Sequence, residues 1–194
     1  MGPPDGIADF PCTVTFATSK ELKDVCFPGV TCGGGAKEID VFAKNDIDVS
    51  GSTIKGNDHM NFRSSQGNFK GAKSTITAPD NIVITVRGTV DISEATITSG
   101  NSLNINAGTG CPAAPAVCIN GQKSDLEGEN VIIRANNALG VIDLCEASVD
   151  DTGSDLPTLN GDTKPDVPVV GPGYTPNVKD TEGECGAGKK ANIT

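Results

Sequence analysis

The 194-residue chain has no tryptophan, one tyrosine and six phenylalanines. That supply excludes the aromatic clusters that line many small-enzyme pockets. It has one histidine, His59, so a Ser-His-Asp triad or a multi-histidine metal centre is built around that residue or not at all. No run of about eighteen apolar residues occurs, so no segment reads as a membrane-spanning helix. Cations are scarce: 15 Lys and Arg stand against 25 carboxylates, a net charge of -10. This argues against nucleic acid, whose phosphates need Lys and Arg, and fits a solvated extracellular surface. Met1–Gly6 offers neither a basic start nor an apolar stretch, so no signal peptide is read there.

Cysteine is not scarce, but its spacing excludes some uses. Cys12, Cys26, Cys32, Cys111, Cys118, Cys145 and Cys185 contain no C-x-x-C, which argues against zinc ribbons and c-type haem. Disulfides in an oxidising compartment are the better reading. Cys111 and Cys118 bracket a Pro/Ala-rich insertion and are the safest pair. Cys145 follows an inward Leu144, points outward, and is placed to fix the tail through Cys185. Two of Cys12, Cys26 and Cys32 then pair, leaving one thiol free or bonded to another chain. The alternative is reduced, buried cysteines acting as small hydrophobes.

What the chain does have is an internal repeat. Val90-Asp-Ile92-Ser-Glu-Ala95-Thr-Ile97 has the skeleton apolar, x, apolar, x, x, small, x, apolar. It recurs at Ile47–Ile54, Phe69–Ile76, Ile119–Leu126 and Ile142–Val149, with Gly in the third position twice. The closing residues Ile54, Ile76, Ile97, Leu126 and Val149 are separated by 22, 21, 29 and 23 residues, the long step carrying the 108–118 insertion. Just beyond the first four stand Asp58, Asn81, Asn101 and Asn130, residues suited to a sharp Asx turn. Period-2 pairs follow, Met60/Phe62, Ile82/Ile84, Leu103/Ile105 and Val131/Ile133, which read as strands with one buried face. A unit this short cannot bury its apolar face alone, whereas stacked coils can, each strand pairing with its equivalent about 4.8 Å away.

The fold expected is all-β: a parallel β-helix (solenoid) of about five to six coils with an extended C-terminal arm. Residues 39–151 hold the repeats. Residues 1–38 form a cap or degenerate first coil: either a short helix over Ser19–Val25, or strands around Val25, Phe27, Val30 and Cys32. Residues 152–194 carry 5 Pro and 7 Gly and read as the arm, with Val167, Val169, Val170 and Tyr174 available to dock in cis or on a neighbouring copy.

Asn45–Ile54 and Ser99–Gly108 resemble repeats of filamentous-haemagglutinin-type adhesins. More loosely they are similar to right-handed parallel β-helix proteins, pectate-lyase-like enzymes included. The resemblance covers roughly residues 39 to 151. It implies a right-handed β-helix on an exported protein and supports fold more than function. The cysteines and the insertion depart from the adhesin pattern.

Candidate chemistry is sparse. Asp48, Lys70, Asp91, Asn120 and Asp143 form an outward column in which Asp48 and Asp91 would lie about 9.6 Å apart, near the spacing of inverting glycosidase acids. Lys70 between them favours a solvated charge ladder, and the Gly-His-Gly and Arg-x-Lys segments of polygalacturonases are missing. His59 reads as a solvated corner residue. Asp46/Asp48, Asp150/Asp151/Asp155 and Asp162/Asp166 could hold Ca²⁺, but no calcium motif supports it. Thr75/Thr77 and Thr96/Thr98 make an outward threonine array two rungs long, a weak hint of an ice or mineral binder. Asn192-Ile-Thr194 is a glycosylation sequon. No catalytic residue and no cofactor is expected.

The leading expectation is therefore an extracellular structural protein: a self-assembling subunit of a surface filament or sheath, or a segment of an adhesin. Its partner would be itself, head to tail, because heterologous contacts between solenoid ends give open filaments. The alternative is a polysaccharide-binding or polysaccharide-degrading β-helix meeting cell-surface glycan.

Overall fold

The computed structural model describes residues 25–26, 31–32, 39–56, 58–111, 116–135, 140–153, 157–159, 162–163, 178–180 and 185–194, with side chains at 25–26, 31–32 and 162–163 outside that description. Three seven-stranded sheets wind around one core. The first sheet contains Ile47–Asp48, Phe69–Lys70, Val90–Asp91, Val117–Asn120 and Val141–Asp143; the second Thr53–Lys55, Thr75–Ala78, Thr96–Ser99, Asp125–Gly128 and Ser148–Asp151; the third Ile39–Ala43, Met60–Ser64, Ile82–Val86, Ser102–Ala107 and Asn130–Ala135. Each winding supplies one strand to each sheet, and all these pairings are parallel. The molecule is a β-solenoid of about five turns.

Alternation explains the strands. In Ile82–Val86, Ile82, Ile84 and Val86 are buried while Thr85 is exposed. Register then stacks like on like: Ile54 beside Ile76, Ile76 beside Ile97, Ile97 beside Leu126, Leu126 beside Val149. Burial of each such side chain contributes about 1.5–3 kcal/mol. With aromatics scarce, aliphatic columns fill the cylinder, apart from one edge-to-face pair, Phe62 and Phe69, with centroids 5.5 Å apart. Phe69 occupies space that its neighbours fill from two positions. A Cβ at Gly71 would lie 2.5 Å from the Phe69 ring, so this winding has Phe and Gly where the next has Val90 and Ile92.

The corner between the first and second sheets is a repeated four-residue turn. Ser52, Ser74, Ala95, Ser124 and Ala147 each donate a backbone N–H to the carbonyl three residues earlier. The third turn residue is left-handed in each of these five windings: Gly51, Lys73, Glu94, Lys123 and Glu146 have φ of 67, 60, 57, 58 and 64°. For a non-glycine residue this costs about 1–2 kcal/mol. Pairing between windings holds it in place: the N–H groups of Lys73, Glu94 and Lys123 donate to Ser93, Gln122 and Cys145 carbonyls at 2.9, 2.8 and 3.0 Å.

Both ends extend the stack. Val25–Cys26 lies beside Ile47–Asp48, and Thr31–Cys32 beside Thr53–Ile54. Of the two readings for residues 1–38, Val25 and Cys32 are seen in strands, while Ser19–Asp24, Phe27 and Val30 lie outside the described residues. The segment expected as an extended arm joins the sheets of its own chain. Thr158–Leu159 pairs with Ile132–Ile133, Val178–Lys179 with Ile142–Asp143, and Asn192–Ile193 with Ser148–Val149, all parallel. Asp162–Thr163 then runs antiparallel to Thr158–Leu159 and closes the third sheet. The tail even repeats the corner turn, Lys189 N–H to Gly186 carbonyl at 3.1 Å, with Gly188 in the left-handed place. Val167, Val169, Val170 and Tyr174 lie outside the described residues.

Candidate functional site

Polar side chains are organised as ladders along the axis. The outward first-sheet column runs Asp48, Lys70, Asp91, Asn120, Asp143, Lys179 in register. Four of its six members are turn-formers. Asp48, Asp91, Asn120 and Asp143 accept the N–H two residues ahead, from Ser50, Ser93, Gln122 and Cys145, at 3.1, 3.1, 3.4 and 3.2 Å. This is the Asx geometry, located at the exit of the first sheet. Asp91 Oδ1 also accepts the Ser93 hydroxyl at 2.8 Å and the Asn120 amide at 3.1 Å. Three donors on one oxygen make Asp91 a fixed acceptor. Asp143, 4% exposed, is further engaged by Gln122 at 3.0 Å and Lys179 at 3.8 Å.

The expected Asx column at Asp58, Asn81, Asn101 and Asn130 divides. Met60 pairs with Ile82, Ile82 with Leu103, and Ser102 with Asn130. Asp58 thus aligns with Asp80 and Asn101, while His59 aligns with Asn81, Ser102 and Asn130. None of the four expected residues is left-handed. Two of them bond across windings instead: Asn81 Oδ1 accepts Ser102 N–H, and Asn101 donates to Asp80, both at 3.1 Å. The physical reason is the six-residue step, as from Ile76 to Ile82 and from Ile97 to Leu103, which crosses this corner without the tight reversal that the first corner needs.

At the entrance to the first sheet, Asp46, Asn68 and Thr89 form a third ladder. Asn68 donates its N–H and side-chain amide to Asp46 Oδ1 at 2.9 and 3.0 Å, and Asn68 Oδ1 accepts the Thr89 N–H at 2.8 Å. Lys70 Nζ lies 2.7 Å from Asp46 Oδ2. That hydrogen bond holds the Asp46 carboxyl below the ordinary aspartate value; burial opposes it and the Asn68 donors assist.

Among the described residues, one group gathers metal-type ligands. Ligand atoms of Asp58, His59 and Asp80 all lie within 4.8 Å of one another, with His59 Nδ1 3.8 Å from Asp58 Oδ1. An imidazole and two carboxylates suit a transition-metal ion better than Ca²⁺. All three are half-buried at a corner, where water competes for each. The carboxylates considered for Ca²⁺ are engaged elsewhere: Asp46 and Asp48 as above, Asp151 by Val131 and Gly153 N–H at 2.9 and 3.1 Å, and Asp150 by the Thr194 hydroxyl at 3.2 Å. Asp155, Asp166 and the Asp162 side chain lie outside the described residues.

Two disulfides frame the second half of the stack. Cys111 and Cys118, with Cα atoms 5.5 Å apart, clip the insertion; both are buried. Cys145 and Cys185, with Cα atoms 5.4 Å apart, fasten the last winding to the one beneath. Cys12 and the side chains of Cys26 and Cys32 lie outside the described residues. Thr75/Thr77 and Thr96/Thr98 are paired in register on the second sheet, flanked by Thr53/Lys55 and Asp125/Glu127.

No protein-family model matches the chain, and neither a curated protein nor a solved structure matches it.

Proposed function

We propose that the chain is an extracellular structural module, a stiff rod that serves as a subunit of a surface filament or sheath or as a segment of an adhesin. The observation that carries this reading is the in-register stack. Successive windings repeat one corner turn, one core column and one set of polar ladders, and the carboxylates most suggestive of catalysis are fixed as turn acceptors. The two disulfides support an oxidising location. Among the described residues, Val178–Lys179 and Asn192–Ile193 are the last strands of their sheets, and such edges template further pairing. The third sheet ends in an antiparallel strand, so head-to-tail addition would use the first two sheets. Electron microscopy and sedimentation of the oxidised chain at neutral pH and rising concentration test self-assembly. Filaments or end-to-end oligomers support it; single particles at every concentration refute it.

A further inference from the structure

The chain holds three arginines, Arg63, Arg87 and Arg134, and all three belong to one face. Arg63 and Arg134 project from third-sheet strands, and Arg87 immediately follows the third-sheet strand Ile82–Val86. All are exposed. Register places Phe42, Arg63, Thr85, Asn106 and Arg134 in one axial column. Lys44, beside Phe42, falls in the same column as Arg87 once both strands are continued. Four of five consecutive windings therefore offer one cation near this side of the sheet, at steps of about 4.8 Å. The cations lie toward the exit end of these strands, whereas Asp58, Asp80 and Glu129 border their entry. Among the described side chains of the third-sheet strands, one carboxylate projects outward, Asp40, and it is engaged by the Asn61 amide at 2.7 Å; the Asp162 side chain lies outside that description. The second sheet is the opposite case, with Asp125, Glu127 and Asp150 against Lys55.

The uncharged residues on this face are also distinctive. The neighbouring column runs Asp40, Asn61, Val83, Asn104, Ile132. Amides at Asn61, Asn104 and Asn106 alternate with apolar Val83 and Ile132. Phe42, the exposed large hydrophobic among the described residues at 43%, has the Arg63 guanidinium carbon over its ring, 5.6 Å from the centroid. Among the described residues, no hydrogen bond or ion pair engages the side chains of Asn104, Asn106, Arg87 or Arg134.

We infer that the outer face of the third sheet binds a linear acidic polysaccharide laid along the solenoid axis. Guanidinium forks match carboxylate or sulfate bidentately, amides match hydroxyls, and the apolar residues match the C–H faces of sugar rings. A row of cations along the axis suits a linear polyanion. An acidic peptide fits less well, because strand addition needs a free edge and the backbone here is already paired on both sides. Nucleic acid would need more cations than this. The inference is independent of filament assembly and places glycan on the face opposite in charge to the Asp48–Asp143 column.

The test titrates the oxidised full chain with alginate and with chondroitin sulfate in about 0.15 M salt, where charges beyond about 8 Å are screened. Neutral dextran and a single-stranded oligodeoxynucleotide serve as comparisons. Binding to at least one acidic glycan and not to dextran is expected. The double variant Arg63→Gln/Arg134→Gln should lose at least tenfold in affinity while unfolding at the same denaturant concentration, and Lys55→Gln on the second sheet should change affinity less than twofold. The inference is overturned by failure to bind either acidic glycan, by equal losses in the two variants, or by equally tight binding of the oligonucleotide.

Discussion

Serine at one repeated position is predicted to have opposite effects in two windings. Ser52 and Ser74 are equivalent, adjacent and both 1% exposed. The Ser74 hydroxyl donates to the Gly71 carbonyl at 2.7 Å, and Ser124 does the same to Gly121. Where the third skeleton position carries a side chain, Ile92 or Leu144, the sixth is Ala95 or Ala147. Ser52 follows Val49 and breaks that rule, and among the described residues its buried hydroxyl has no hydrogen-bond partner. An unsatisfied buried polar group costs about 1–3 kcal/mol. Ser52→Ala removes it and should stabilise by about 1 kcal/mol, a rise in Tm of about 2–4 °C for a chain of this size. Ser74→Ala loses a made hydrogen bond. The Gly71 carbonyl keeps the Ser74 N–H at 3.1 Å, so the loss lies at the low end, about 0.5–1 kcal/mol. Denaturant unfolding of the oxidised proteins, followed by far-UV circular dichroism, measures both. If the two variants shift the midpoint in the same direction, the pairing assigned to this corner is wrong.

Other perturbations probe other parts of the account. Ile97→Ala, at a fully buried central rung, should cost about 2–5 kcal/mol in the same unfolding assay. Replacing Cys145 and Cys185 by Ala opens a loop of sequence separation 40 and should cost about 4 kcal/mol, against about 2 kcal/mol for the Cys111–Cys118 separation of 7, by loop entropy. Lys123→Asn relieves a left-handed lysine and should stabilise by about 1 kcal/mol, because its exposed pair with Glu146, at 3.8 Å, is worth little. Asp46 has a lowered folded pKa, so its contribution is complete above the ordinary aspartate value and is lost as pH falls through the folded one. The stability difference between wild type and Asp46→Asn should therefore be largest near neutrality and vanish in strong acid, as measured by midpoints across pH.

The solenoid was legible because its strongest physical requirement, a dry column of aliphatic side chains, recurs at a nearly constant spacing from Ile54 to Val149. Features set by backbone geometry were harder to read. The left-handed corner is occupied by Lys73, Glu94, Lys123 and Glu146, whose types carry no turn signal, since bonds between windings impose that conformation. Asn81 and Asn101 look like local turn-formers, yet their partners lie a winding away. The tail was opaque for another reason. Val178–Lys179 and Asn192–Ile193 are two residues long, too short for alternation, and Pro and Gly surround them. Their strand character comes from the edge they join. Net charge, a sum over the chain, hides the face bearing Arg63, Arg87 and Arg134, because register is what assigns charge to sheets.

The central claim is that equivalent residues of successive windings are immediate neighbours. Methyl–methyl nuclear Overhauser measurements on the oxidised chain in solution test it most directly. The account predicts strong contacts from Ile54 to Ile76, Ile76 to Ile97, Ile97 to Leu126 and Leu126 to Val149, about 4.8 Å apart along the axis, and much weaker ones between residues two windings apart, at about 9.6 Å. Absence of that consecutive chain, or equally strong contacts from Ile54 to Ile97, would contradict it.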